Sequence, residues 1–248
     1  MSSETTPGNS SAAFPTTAWS LIQAAGHRTH EAYLAAANLF IAGYWKPVFY
    51  FLRARGYPLH QAEDLTQDFF TRFLEGNWIG KADQNRGRFR SFLLRILIHF
   101  LSDQGPRRAP RQQRFEQQLL SINSLVGGDD RTYEPPVHET PETIFMKQWA
   151  AALVANVLER LRAFYREEDR AAWYDVFAAS YQPSPPEEPP TQQALAERFG
   201  MSRDQVRYAL EIVQKRFAHF LREEVRDQVH SEAEVADEIR DLLALLGK

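Results

Sequence analysis

Five polar residues of the segment RGRFRSFLLRILIHFLSD recur at spacings that place them on one face of a helix: Arg88, Ser91, Arg95, His99 and Ser102 stand three, four, four and three residues apart. Phe89, Phe92, Leu93, Ile96 and Phe100 cover the opposite arc. A row of cations edged by aromatic rings suits single-stranded nucleic acid, because guanidinium groups track the phosphates while rings stack on unpaired bases. The plainer alternative makes the phenylalanines core and the arginines a solvated face. The next residues, GPRRAPRQQR, are broken by Pro106 and Pro110, so they end the helix and leave Arg107, Arg108 and Arg111 to meet phosphate.

A second patterned face lies upstream. With Asp64 at zero on a wheel of about 100 degrees per residue, Asp68 and Glu75 fall in a narrow arc beside it, while Leu65, Phe69, Phe70, Phe73 and Leu74 fill the far side. One face packs and the other is a carboxylate stripe, which is either a solvated surface or a partner's docking site. No histidine, nucleophile or metal-ligand spacing accompanies these carboxylates, so acid–base catalysis is not indicated. The seven histidines show no HxxxH or HExxH spacing either.

The third pattern is a helix-turn-helix. Thr191 opens a short helix, Gly200 supplies the residue that tolerates positive φ at its end, and Ser202 caps the next helix with Gln205 at the reciprocal position. Val206, Ala209, Leu210, Val213 and Phe217 lie on one side of that helix. Arg203, Asp204, Arg207, Tyr208, Glu211 and Lys215 occupy the other, where a recognition helix presents side chains to the major groove. A generic helical hairpin is the alternative.

These faces need a scaffold, and the sequence predicts a helical one. No segment sustains period-two alternation with turn pairs, whereas helical spacing recurs between three breaks. Residues 1–16 read as a disordered lead-in. Residues 121–142, with Gly127, Gly128, Pro135, Pro136 and Pro141, read as a linker, and Pro183 to Pro190 holds five prolines in eight residues. The expectation is an all-α protein of two helical domains, 17–120 and 143–248. Tyr44, Trp45, Phe49 and Phe51 are expected in the core of the first, on a helix kinked or restarted near Pro47. In the second, Ile144, Trp149, Leu153, Val157 and Leu161 predict a long packing helix.

Composition bounds the rest. The 248 residues include 44% hydrophobic and 12% aromatic residues, enough for one or two cores. The absence of cysteine excludes disulfides, thiolate metal sites and cysteine nucleophiles. No apolar run is long enough to span a membrane and the N-terminus is polar, so a cytoplasmic protein with no membrane insertion is expected. The net charge of −3 conceals a division: residues 81–114 carry nine basic and two acidic groups, whereas residues 61–75 carry four acidic and one basic. Charge sorted in this way implies different partners for different surfaces.

In their order along the chain and their spacing, the three patterns resemble bacterial sigma factors of the sigma-70 family, specifically the compact two-domain extracytoplasmic-function (ECF) type, over roughly residues 17 to 246. AEDLTQDFF at Ala62 resembles the region-two helix that contacts the beta-prime coiled coil of RNA polymerase, which implies Glu63, Asp64, Gln67 and Asp68 as polymerase contacts. FRSFLLRILIHFLSD resembles the strand-opening helix, with Phe92 in the tryptophan place, Arg95 in the arginine place and Asp103 in the aspartate place. Ile98 and His99 stand where the family has an Arg-Asn pair. TQQALAERFGMSRDQVRYALEIVQKRF resembles region four, the reader of the minus-35 element. The resemblance implies a transcription initiation factor without catalytic chemistry or cofactor, with core RNA polymerase and promoter DNA, both duplex and opened strand, as partners. An anti-sigma factor or a Ser/Thr kinase is implied as regulator, the kinase acting at Thr66, where a phosphate adds about −1.5 to −2 charge. A free-standing helix-turn-helix regulator is the alternative.

A C-terminal helix completes the reading. Ser231 and Glu234 form a capping-box pair, and Val235, Ile239, Leu242, Leu243 and Leu246 recur on one face, predicting an amphipathic helix over 232–246. It is expected to pack back on the second domain, the alternative being contact with polymerase or a regulator.

Overall fold

The computed structural model describes residues 30–76, 88–103, 128–181, 190–226, 228–229 and 231–247. They form nine helices and no strand: α1 (His30–Ala54), α2 (Leu59–Glu75), α3 (Phe89–Ser102), the single turn α4 (Gly128–Arg131), α5 (Pro141–Glu167), α6 (Ala171–Tyr181), α7 (Gln192–Phe199), α8 (Arg203–Arg226) and α9 (Glu232–Leu246). The all-α expectation is met. The expected N-terminal lead-in, the proline run up to Pro189, and Arg107, Arg108 and Arg111 lie outside the described residues.

α1 is apolar around most of its circumference, leaving Ala42 and Lys46 exposed. Phe40, Ile41, Tyr44, Trp45, Val48, Phe49, Phe51 and Leu52 are all buried, which requires partners on more than one side of the helix. α2 covers one side and α5 the other, the α1–α5 contact being the most extensive between any two helices. That double cover also explains Pro47. The helix does not restart there but runs unbroken from His30 to Ala54, because buried packing on both flanks offsets the one backbone hydrogen bond that proline removes.

α5 is the spine. Thr140 caps it by accepting from the Thr143 amide at 3.2 Å, and Pro141 occupies the first turn, where no amide partner is lost. Its 27 residues span about 40 Å, and besides α1 it touches α3, α6, α8 and α9. The boundary expected at 121–142 does not divide the main buried cluster among the described residues. Side chains from α1, α2 and α3 share one continuous core with those from α5, α8 and α9. The reason is α1, whose second apolar side has no cover among α2 and α3 and takes it from α5. A smaller cluster of Val176, Leu195, Ala196 and Val206 binds α6, α7 and α8 together.

The described part of the linker is pinned. Asp130 of α4 is buried, accepts from the Tyr50 hydroxyl at 2.7 Å and pairs with Lys46 at 3.2 Å. Arg53 donates to the Tyr133 carbonyl at 3.0 Å, and the Tyr50 and Tyr133 rings meet edge-on with centroids 4.1 Å apart.

Candidate nucleic-acid interface

The row on α3 forms as its spacing predicts, with one exception. Ser91, Arg95, His99 and Ser102 are exposed, and Phe89, Leu93 and Phe100 are buried on the opposite side. Leu94 and Leu97 join that buried side, while Phe92 and Ile96 are only half-buried. Phe92 therefore keeps part of its ring at the edge of the polar face, and its other side leans on Phe89 at 6.0 Å. Arg88 is the exception. Its Nε lies 2.8 Å from Glu238 and its Nη1 2.8 Å from Asp241, both carboxylates belonging to α9.

Beside it stands a residue that the sequence reading passed over. Arg90 is 5% exposed, donates from Nη2 to Glu238 Oε2 at 3.1 Å with Nη1 set against the other oxygen of that unexposed carboxylate, and lies 4.2 Å from the centre of the Trp149 ring. Burial and the neighbouring Arg88 charge pull the Arg90 guanidinium down to about 10, so it stays charged at neutral pH. The signal for this cluster was present in α9. Glu238 stands three residues after Val235 and four before Leu242, so it interrupts the apolar face where a charge has to be paired. A cavity of about 520 Å³ opens between α3, α5 and α9 alongside Arg88, Arg90, Lys147 and Asp241. Lys147 is held there by Glu139 at 2.5 Å.

The carboxylate stripe on α2 is narrower than expected. Asp64 and Glu75 are exposed, but Gln67 and Asp68 are half-buried and Glu63 is 3% exposed. Glu63 turns inward to His60 at 3.2 Å and Arg131 at 3.7 Å, so it is a docking point for the pinned linker and not part of an outer contact surface. Thr66 has no exposure, and its hydroxyl donates to the Ala62 carbonyl at 2.6 Å. The expected phosphorylation site is therefore buried and hydrogen-bonded, not on the exposed face with Asp64. The same wheel that groups Asp64 with Asp68 puts Thr66 about 200 degrees away, on the packed side.

The helix-turn-helix assembles as its local chemistry dictates. Thr191 caps α7 by accepting from Ala194 at 3.2 Å. Gly200 sits at φ 64° and ψ 32°, and Met201 returns its amide to the Ala196 carbonyl at 3.0 Å. The capping box then closes in both directions, Ser202 donating its amide to the Gln205 side chain at 2.7 Å and receiving the Gln205 amide at 3.1 Å. Val206, Ala209 and Val213 are buried, leaving Arg203, Arg207, Tyr208 and Lys215 exposed along the outer face of α8. Arg207 pairs with Asp204 at 3.0 Å and Lys215 with Glu211 at 2.6 Å. Exposed pairs of this kind contribute little, so both cations are free to exchange partners. Replacing Gly200 by alanine places a Cβ in open space, so the cost is conformational alone, about 1 to 2 kcal/mol. Chemical denaturation of the variant should show that loss, and an unchanged midpoint would mean that the turn relaxes out of the left-handed region.

α9 forms over the expected residues and packs on α5 and α8. Two details differ. Ser231 makes no cap hydrogen bond through its hydroxyl; instead Glu232 anchors the first turn to Arg222 at 2.5 Å and Arg226 at 2.9 Å. Leu243 and Leu246 are exposed, and the buried face consists of Val235, Glu238 and Leu242, with Ile239 and Leu245 partly covered.

Among the described residues there is no cluster of histidine, aspartate or glutamate arranged to hold a metal ion, and no helix is long and apolar enough to cross a membrane. Comparison with protein families, curated proteins and solved structures finds no match for this chain.

Proposed function

We propose that this chain is a transcription initiation factor of the bacterial sigma type, which binds core RNA polymerase, directs it to promoters and assists strand opening. The observation that carries the reading is the helix-turn-helix itself. A left-handed Gly200 turn and a doubly closed capping box fix α8 so that Arg203, Arg207, Tyr208 and Lys215 face outward together. That is the presentation a major-groove reader needs, with arginine paired to guanine edges as its commonest specific contact. The exposed Arg95 and His99 of α3, edged by the half-buried Phe92, support a second contact with an opened strand. The exposed end of the α2 stripe, centred on Asp64, supports a protein partner of opposite charge. A net charge of −3 accords with a factor whose hold on DNA is lent by polymerase.

The test is binding to purified core polymerase. Reversing Asp64 to lysine is expected to abolish the complex and leave helix content unchanged, because an exposed substitution usually costs within about half a kcal/mol. Asp64 is the residue to reverse, since it is exposed whereas Asp68 is half-buried. A wild-type chain that forms no complex with core enzyme, yet binds a specific duplex, would be a free-standing regulator instead.

A further inference from the structure

Arg88 begins the polar row of α3, yet its Nε and Nη1 are both taken by α9 carboxylates, and Arg90 is ion-paired with the same Glu238, donating to it from Nη2. A carboxylate offers a guanidinium the same pair of oxygen acceptors that a phosphate does. We propose that α9 and single-stranded DNA compete for these arginines, α9 docking as an internal substitute for phosphate that leaves as the strand takes Arg88 and Arg90. The inference rests on α3 being the strand-binding face.

Three observations carry it. The cluster joins residues 148 and 153 positions apart, so it ties the chain's C-terminal helix to the very face that the polar row marks. Its rim is accessible: Arg88 is 37% and Asp241 51% exposed, and a cavity of about 520 Å³ opens beside them. The exchange also leaves no charge stranded. A phosphate replaces Glu238 at Arg90 while Glu238 passes to water, so the penalty that normally follows the breaking of a buried pair does not arise. α9 is suited to leaving, since a helix of 15 residues is marginal without a surface, and Leu243 and Leu246 already lie outside the packing. Undocking therefore melts it.

Hydrogen exchange of the full chain reads that melting directly. An oligodeoxythymidylate of about twelve nucleotides, added at low ionic strength, is expected to speed amide exchange across residues 235–242 by about tenfold or more. Asp241→Asn, which removes only the rim partner, is expected to bind the oligonucleotide about two- to fivefold more tightly. Binding that leaves α9 exchange unchanged or slower, or an Asp241→Asn affinity equal to wild type, would overturn the competition. Arg95→Ala separates the two readings. If that variant binds as well as wild type, the strand-binding face is wrong and the competition falls with it; if it binds more weakly while α9 exchange stays unaltered, only the competition is lost.

Discussion

Replacing Phe40 by alanine is expected to lower stability by about 3 to 5 kcal/mol, the range for emptying a buried aromatic site. Phe40 is 2% exposed, and four rings surround it: Tyr44 at 5.2 Å, Phe73 at 5.3 Å, Phe70 at 5.6 Å and Phe89 at 5.8 Å between centroids. They belong to α1, α2 and α3, so they cannot all close on the void at once. Offset and edge-on ring pairs also contribute beyond their buried area. The measurement is urea denaturation, in which the midpoint should fall while the slope stays constant. A loss below about 1 kcal/mol would mean that the three helices re-pack around the gap. The variant also bears on function, because this cluster holds the Asp64 face and the Arg95 face in fixed relation.

The second large effect is electrostatic. Glu238→Gln leaves Arg90, 5% exposed, without its counter-charge. Stranding one partner of a buried pair costs about 3 to 5 kcal/mol, whereas exchanging both partners for apolar residues of similar volume is often neutral or stabilising. Thermal unfolding should therefore show a steep loss for Glu238→Gln and recovery of most of it in the double variant Arg90→Met, Glu238→Leu. Arg88 does not spoil the comparison, since at 37% exposure it can turn to water. Equal losses in the single and double variants would show that the cluster acts through shape and not through charge.

What the sequence made readable, and what it hid, follows the range of the interactions. Thr191, Gly200, Ser202 and Gln205 act on backbone groups within four residues of themselves, so their types alone foretell the turn between α7 and α8. Ser231 and Glu234 carry the same local pattern, yet the hydroxyl cap does not form, because Arg222 and Arg226 draw Glu232 into the first turn of α9. A tertiary pair there overrides the local motif. The periodicity of α1 showed that its aromatics are buried but not against what, and the answer, α5, lies beyond the residues read as a linker. Arg88, Arg90, Glu238 and Asp241 are the same case in charge: each helix shows its own stripe, and which distant stripes meet is written in neither. Glu63 and Thr66 differ. The wheel already separated Thr66 from Asp64, so its burial was open to inference from spacing alone.

The spine has a consequence for the order in which the chain is made. α1 emerges from the ribosome early, whereas α5, which covers its second apolar side and meets it at Phe51 and Phe145 6.4 Å apart, begins only at Pro141. At ordinary translation speeds of about 5 to 20 residues per second, that interval is on the order of ten seconds. During it the described part of the nascent N-terminal region, α1 to α3, leaves that aromatic strip without the cover that α5 later provides. Holdase chaperones bind surfaces of this kind, so the yield of folded protein depends on how quickly residues 141–167 arrive as well as on the final packing.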